Sequence, residues 1–256
     1  MILMRYRLVG VLFALMTGCV TETEGPKPTV VDSDRAISQR VALARQYIGA
    51  GDWDNAKRNL DLAASIDDDN PEVLEAFALV FQSTGEFELA EANFKRALDR
   101  GAGSRARNNF AAYLFSQGRY EESASEFRTV TADTLYNGRA RAFVNLGLSL
   151  LQLKNTDKAR QAFTRSLFLG AKNPTALLEL TQISLTEGDV EAASRYYASY
   201  RQSASTQSAR ALIFGVEIAR LLGDADLEAS NLLALRNLHA EAAIYRVWKA
   251  AQLEQR

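Results

Sequence analysis

Residues 71–90 read PEVLEAFALVFQSTGEFELA, and residues 104–124 read SRARNNFAAYLFSQGRYEESA. Laid over one another, they bring Ala78 onto Ala111, Gly85 onto Gly118, Phe87 onto Tyr120 and Ala90 onto Ser123. The shared unit is a small residue, a turn glycine seven places later, an aromatic two further on and a second small residue three beyond that. It recurs along the chain. Turn glycines stand at Gly51, Gly85, Gly118, Gly188 and Gly223, at intervals of 34, 33, 70 and 35 residues, with Lys154 in the place of the missing one. Small residues precede the turns at Ala44, Ala78, Ala111, Gly147, Thr181 and, less regularly, Gly215; others follow at Ala56, Ala90, Ser123 and Ala159. Such a period holds two helices and their turns. Small residues let the helices of a pair approach, while Leu60, Phe94, Phe127, Phe163 and Tyr197 fill the space between pairs. Asn70-Pro71 and Asn173-Pro174 each place proline in the first turn of a new helix, where its missing N–H costs nothing. No run of β-branched residues bounded by hairpin turns occurs, so no sheet is expected.

The pattern resembles the tetratricopeptide repeat over about Ile37 to Leu238. The resemblance implies an all-α fold, a right-handed superhelix (α-solenoid) of about six helix pairs. We place the repeats at 37–70, 71–103, 104–139, 140–173, 174–207 and 208–238, with a capping helix over about Ala240 to Glu254 and the repeat domain as a whole at 37–256. The sixth repeat reads as degenerate around Ala225 to Ala229. A cap is needed because each unit buries its apolar face only against its neighbours.

The N-terminus, MILMRYRLVGVLFALMTGC, has Arg5 and Arg7 ahead of an apolar run from Leu8 to Met16, then small residues before Cys19. That is the layout of a secretory signal peptide over residues 1–18, and the run is too short to span a bilayer, which takes ~20 residues. Met16-Thr17-Gly18-Cys19 resembles a bacterial lipoprotein box, with Met where leucine is usual. The resemblance implies cleavage after Gly18, diacylglyceryl transfer to the Cys19 thiol and acylation, such as by palmitate, of the new N-terminus. Two or more acyl chains suffice for stable attachment. The same resemblance implies that aspartate after the cysteine favours inner-membrane retention, so Val20 in that place points to the outer membrane, facing the periplasm. The lipidated N-terminus and a flexible tether are read over residues 19–36, where Thr21 to Asp34, TETEGPKPTVVDSD, is polar and without apolar periodicity. Fully stretched, it would reach roughly 45–50 Å.

Composition narrows the function further. Of 256 residues, 47% are hydrophobic and 24% charged, with a net charge of −1, so no electrostatic footprint for nucleic acid is present. The chain holds one cysteine and one histidine, which leaves no intrachain disulfide and no metal site of several His or Cys ligands. No cofactor or small-molecule substrate is implied, and no carboxylate forms a constellation with a base or nucleotide loop, so an enzyme is not expected. His239 reads as a cap-satisfied or solvent-facing residue, and Trp53 and Trp248 as packing residues. Asp67-Asp68-Asp69-Asn70 lacks the rest of a calcium loop and reads as a turn capping the helix that starts at Pro71.

Stacked helix pairs present an inner wall made mainly by the first helix of each pair. Asn109 and Asn145 take the same inner position in successive repeats, where amides could hydrogen-bond an extended peptide or instead cap turns and face water. Leu79, Phe115, Leu148, Leu151, Leu178 and Leu185 surround them, some as groove and some as core. We take Asn109, Asn145, Leu79, Phe115, Leu148 and Leu151 as candidate partner-binding residues. The carboxylate clamp of chaperone-type repeats is missing: its positions hold Val41 and Arg45, Glu75 and Leu79, Asn108 and Ala112. Lys95, Arg96, Arg100, Arg105 and Arg107, with Arg139 and Arg141, form a basic run that is either a solvated helix end or a dock for an acidic segment.

In the third and fourth repeats the likeness is narrower. Asn108-Asn109-Phe110, Tyr113-Leu114-Phe115, Gly118-Arg119-Tyr120-Glu121-Glu122, Asp133-Thr134-Leu135-Tyr136, Arg139 to Arg141 and Asn145-Leu146-Gly147-Leu148 resemble the type IV pilus pilotins, the PilF/PilW family of pilus biogenesis and stability lipoproteins. The third repeat's length of 36 residues belongs to that pattern, while Ser123 replaces the commoner alanine. The resemblance implies a six-repeat outer-membrane lipoprotein whose partner is the type IV pilus secretin subunit, and which promotes that subunit's outer-membrane placement and multimerisation. The competing expectation is a general periplasmic scaffold lipoprotein for cell-envelope assembly, which would share the anchor and repeats but not this signature.

Overall fold

In the computed structural model, residues 30–170 and 172–254 are described; the signal read in residues 1–18 and Cys19 lie outside them. The described residues form thirteen helices and no strand. They pair as α1 (Val30–Ala50) with α2 (Trp53–Ala64), α3 (Pro71–Thr84) with α4 (Phe87–Asp99), and α5 (Ser104–Ser116) with α6 (Tyr120–Ala132). The series continues with α7 (Arg139–Gln152) and α8 (Thr156–Phe168), α9 (Pro174–Thr186) and α10 (Val190–Ser203), and α11 (Ala209–Leu222) and α12 (Ala225–Leu238). The last helix, α13 (Ala243–Glu254), packs on α11 as a cap. No described helix is long and apolar enough to cross a membrane.

The first helix corrects the tether boundary. It runs over Val30–Ala50, so Val30–Ala36, read as tether for want of apolar periodicity, are helical. The chain has neither proline nor glycine between Val30 and Ile48, so nothing stops the helix from running upstream of Ile37. The sixth repeat is also more regular than expected: α12 is unbroken, with Asp224 accepting a hydrogen bond from the Leu227 N–H at its start.

Every turn between paired helices reverses through one residue of positive φ, at Gly51, Gly85, Gly118, Gly188 and Gly223. In the fourth pair Lys154 takes this left-handed conformation itself, with φ 57°, the one non-glycine residue among those described to do so. The small residues do the work their spacing implies: Ala44, Ala78, Ala111 and Thr181, like Ala56, Ala90, Ser123 and Ala159, have no exposed surface. At Gly147 the approach is so close that a Cβ would stand 2.5 Å from the Phe163 ring. Ser123 is explained as well, since its buried hydroxyl lies 2.9 Å from the Ala111 carbonyl and 3.0 Å from the Ser149 hydroxyl.

Helix ends are secured locally. Asn70 and Asn173 accept from the N–H groups two and three residues on, capping the proline-started helices α3 and α9. The acidic turn before Pro71 is therefore a cap, and Asp69 also pairs with Arg96 and Arg100. His239 ends α12, and its Nε2 lies 2.9 Å from the Gln207 carbonyl oxygen. Trp248 stacks on Tyr245 and takes the Arg220 guanidinium over its ring.

Candidate functional site

The first helices α5, α7, α9 and α11 line two adjoining cavities. The smaller, about 150 Å³, is bounded by Ala112 and Phe115 of α5, Phe127 of α6, and Asn145 and Leu148 of α7. The larger, about 430 Å³, runs from Leu148, Leu151 and Gln152 of α7 to Glu179, Gln182 and Ile183 of α9 and Arg210 of α11. Leu148 lines both, so they form one groove crossing repeats three to six. Asn145, Leu148 and Leu151 fall at successive three-residue steps and so share one face of α7. The floor is rigid: Phe127 is wholly buried, and Phe115 is held edge-on against Tyr120, with centroids 5.2 Å apart.

The two ends differ in chemistry. The small cavity is apolar apart from the Asn145 amide, which no described group engages by hydrogen bond, and its volume suits one aromatic ring or aliphatic side chain. At the far end Arg210 donates to both carboxylate oxygens of Glu179, at 2.6 and 2.8 Å, and to Gln182, while lying over the Phe214 ring. A bidentate pair of this kind fixes the geometry of that end and neutralises its charge. An apolar socket beside an unengaged amide, continued by a trough with amide and ion-pair walls, fits a polypeptide segment presenting apolar side chains.

The six candidate residues thus separate. Phe115, Asn145, Leu148 and Leu151 come together in the groove. Leu79 instead packs against the buried cluster of Phe94, Phe110 and Tyr113. Asn109 donates its amide to Glu75 at 2.6 Å, in a network where Arg45 donates to the same carboxylate at 2.5 Å and Arg105 approaches to 3.4 Å. The in-register asparagines therefore differ in what they do: one ties repeats together and the other faces the groove. Among the further inner-wall leucines, Leu178 is core and Leu185 is half-buried against the same cluster.

The basic run does not form an open dock in its first part. Lys95 pairs with Glu91, Arg96 and Arg100 with Asp69, Arg105 with Glu75, and Arg107 with Glu126. Glu91 also accepts from Arg119, and this bond, followed by the one from Lys95, holds its carboxyl below the usual glutamate range. Arg139 spends its Nε on the Thr131 carbonyl. Sequence reading noted Glu75 only as a mismatch to the carboxylate clamp and overlooked Glu179 and Arg210. The signal was available: Val73-Leu74-Glu75-Ala76 and Leu177-Leu178-Glu179-Leu180 each set a carboxylate in an apolar run, and a buried carboxylate requires a partner.

The tetratricopeptide repeat family matches residues 75–137, 113–174 and 144–209 in overlapping spans. The type IV pilus assembly protein PilF of Pseudomonas aeruginosa is 34% identical over 248 residues, which covers 96% of this chain and 98% of that protein. The chain belongs to the PilF/PilW family of tetratricopeptide repeat proteins. The solved structure of Pseudomonas aeruginosa PilF matches with a TM-score of 0.81 at 33% identity, covering 86% of this chain and 99% of that one. PilW, a widely conserved type IV pilus biogenesis factor, matches with a TM-score of 0.71 at 22% identity, over 83% of this chain and 98% of its own; that likeness is one of fold. Membership in the PilF/PilW family supports a role in type IV pilus biogenesis, and the repeat class acts by holding other polypeptides.

Proposed function

We propose that this protein is an outer-membrane lipoprotein of the pilotin type, anchored through an acylated Cys19, which binds the type IV pilus secretin subunit and promotes its outer-membrane localisation and multimerisation. The supporting observation is the groove shared by Phe115, Asn145, Leu148 and Leu151, carried on a chain related to PilF over nearly its whole length. The division of labour is physical. The acyl group supplies the address, the segment before α1 supplies reach, and the groove grips a client segment without reacting with it. Escort follows: lipoprotein sorting carries the bound subunit outward. The length of the match to a pilus assembly protein favours this reading over a general envelope scaffold.

Photo-crosslinkers placed at Phe115 and at Asn145 in cells should capture secretin. The Cys19→Ser variant should leave secretin away from the outer membrane and poorly multimerised. Capture of other envelope proteins without secretin, or unchanged secretin placement in the Cys19→Ser strain, would overturn the proposal.

A further inference from the structure

The solenoid has two unlike long edges. Turns within helix pairs lie along one edge; connections between pairs, the starts of the first helices and the ends of the second helices lie along the other, because paired helices are antiparallel and the pairs stack in register. Bonds across successive connections confirm that they adjoin, as between Arg100 and Asp69 and between Ser104 and Asp133. The turn edge is acidic: each second helix opens with a carboxylate in its first turn, as at Glu88, Glu121, Glu191 and Asp226. On the connection edge α4, α8, α10 and α12 close on Arg96, Arg165, Arg201 and Arg236.

Helix dipoles favour that arrangement for the second helices. They do not account for α7, which opens with Arg139 and Arg141 at the end where a dipole disfavours cations. From the third repeat to the cap, Arg141, Arg165, Lys172, Arg201 and Arg236 of this edge are exposed, and none has a carboxylate within 4.0 Å among the described residues. Apolar side chains protrude between them: Leu135 is 89% exposed, Phe168 77% and Leu238 70%. The Arg165 guanidinium lies 5.1 Å from the Phe168 ring centroid. Cations without partners, interleaved with apolar side chains standing clear of the fold, are the composition of a surface that settles on anionic headgroups and dips into the acyl boundary.

Where the chain leaves this edge identifies the occupant. Val30 starts α1, so the N-terminal segment departs from the connection edge, and the stretch from Cys19 to Val30 can span no more than roughly 40 Å. An acyl group at Cys19 would thus tether the solenoid from the side on which this edge lies.

We propose that the connection edge from the third repeat to the cap is a second membrane contact, which lays the solenoid against anionic phospholipid. This deepens the anchored reading above and rests on it for its setting. It leaves the wall of α5, α7, α9 and α11 free for a client.

The test separates the two. Every core cluster lies within residues 37–248, so a chain starting at Val20 retains the fold without signal or anchor. This chain should co-float with vesicles of phosphatidylethanolamine and phosphatidylglycerol at low salt, less so at high salt, and not with phosphatidylcholine vesicles. Arg141→Glu with Lys172→Glu should weaken binding roughly tenfold or more, and Leu135→Ser with Phe168→Ser should weaken it comparably. The opposite-edge pair Glu88→Gln with Glu191→Gln should not weaken it. Failure to float, or equal flotation of the edge variants, would overturn the membrane contact; binding of these cations to a purified acidic protein in the absence of flotation would assign the edge to that partner instead. Labelled fatty acid missing from the full chain, with flotation retained, would overturn the Cys19 anchor alone.

Discussion

Asn109 and Glu75 stand 34 residues apart and are joined by a 2.6 Å hydrogen bond in which the amide donates to a carboxylate only 1% exposed. The same carboxylate receives Arg45 from the repeat before and Arg105 from the repeat after. One buried charge thus fastens three repeats.

Glu75→Ala should therefore destabilise the fold by about 2–4 kcal/mol, at or below the cost of breaking a buried pair because both arginines keep some access to water. Asn109→Ala should cost about 1.5–3 kcal/mol, the worth of one hydrogen bond to a charged group. Urea unfolding measures both. Client capture should survive Asn109→Ala and fall with Asn145→Ala; the reverse would show that the groove has been placed in the wrong repeats.

Gly147 is required by Phe163. An alanine there sets its Cβ 2.5 Å from the ring, which must shift inside a packed core. Gly147→Ala should lose roughly 1–3 kcal/mol, and Phe163→Leu in the same chain should recover part of that loss. Thermal unfolding of the two variants decides it, since an undiminished midpoint for Gly147→Ala would mean that the Phe163 ring does not pack on Gly147.

Lys154 is the converse case. A side chain at φ 57° carries a steric penalty that glycine avoids. Lys154→Gly should raise stability by about 0.5–1 kcal/mol, read from the denaturant midpoint, with no change in client capture.

Glu217 carries a pH dependence. Burial raises its carboxyl above the ordinary glutamate range, and the nearby Arg220 offsets this only in part. An acid whose folded value is raised costs nothing at low pH, where it is protonated in both states. It lowers stability once the pH rises through the unfolded value and on to the folded one. Glu217→Gln should accordingly be more stable than the parent at pH 7, with the gain vanishing below about pH 4. An equal gain at both pH values would assign the effect to packing.

The repeat fold was legible because its determinants are local and periodic. A left-handed turn residue, a small residue at each close approach and a bulky residue between pairs must recur wherever the same geometry recurs. Even Lys154, the exception in the glycine series, is marked by its place in the period as a left-handed turn residue. The lack of apolar periodicity misleads at Val30–Ala36, which joins a helix because nothing in it breaks one.

The inner wall was legible only as a set of candidates. Position in the repeat put Asn109 and Asn145 on the same face, but what each amide does depends on residues a full repeat away: Glu75 is within reach of the first, and no described group engages the second. Leu79 and Leu148 likewise differ in what packs against them and not in type or register. The amino-acid order alone determined helix, turn and stacking, since these arise from backbone conformation and side-chain size within one period. Which polar groups satisfy one another, which apolar faces close and which edge collects unpartnered cations were decided by tertiary structure, because those are properties of distances between repeats.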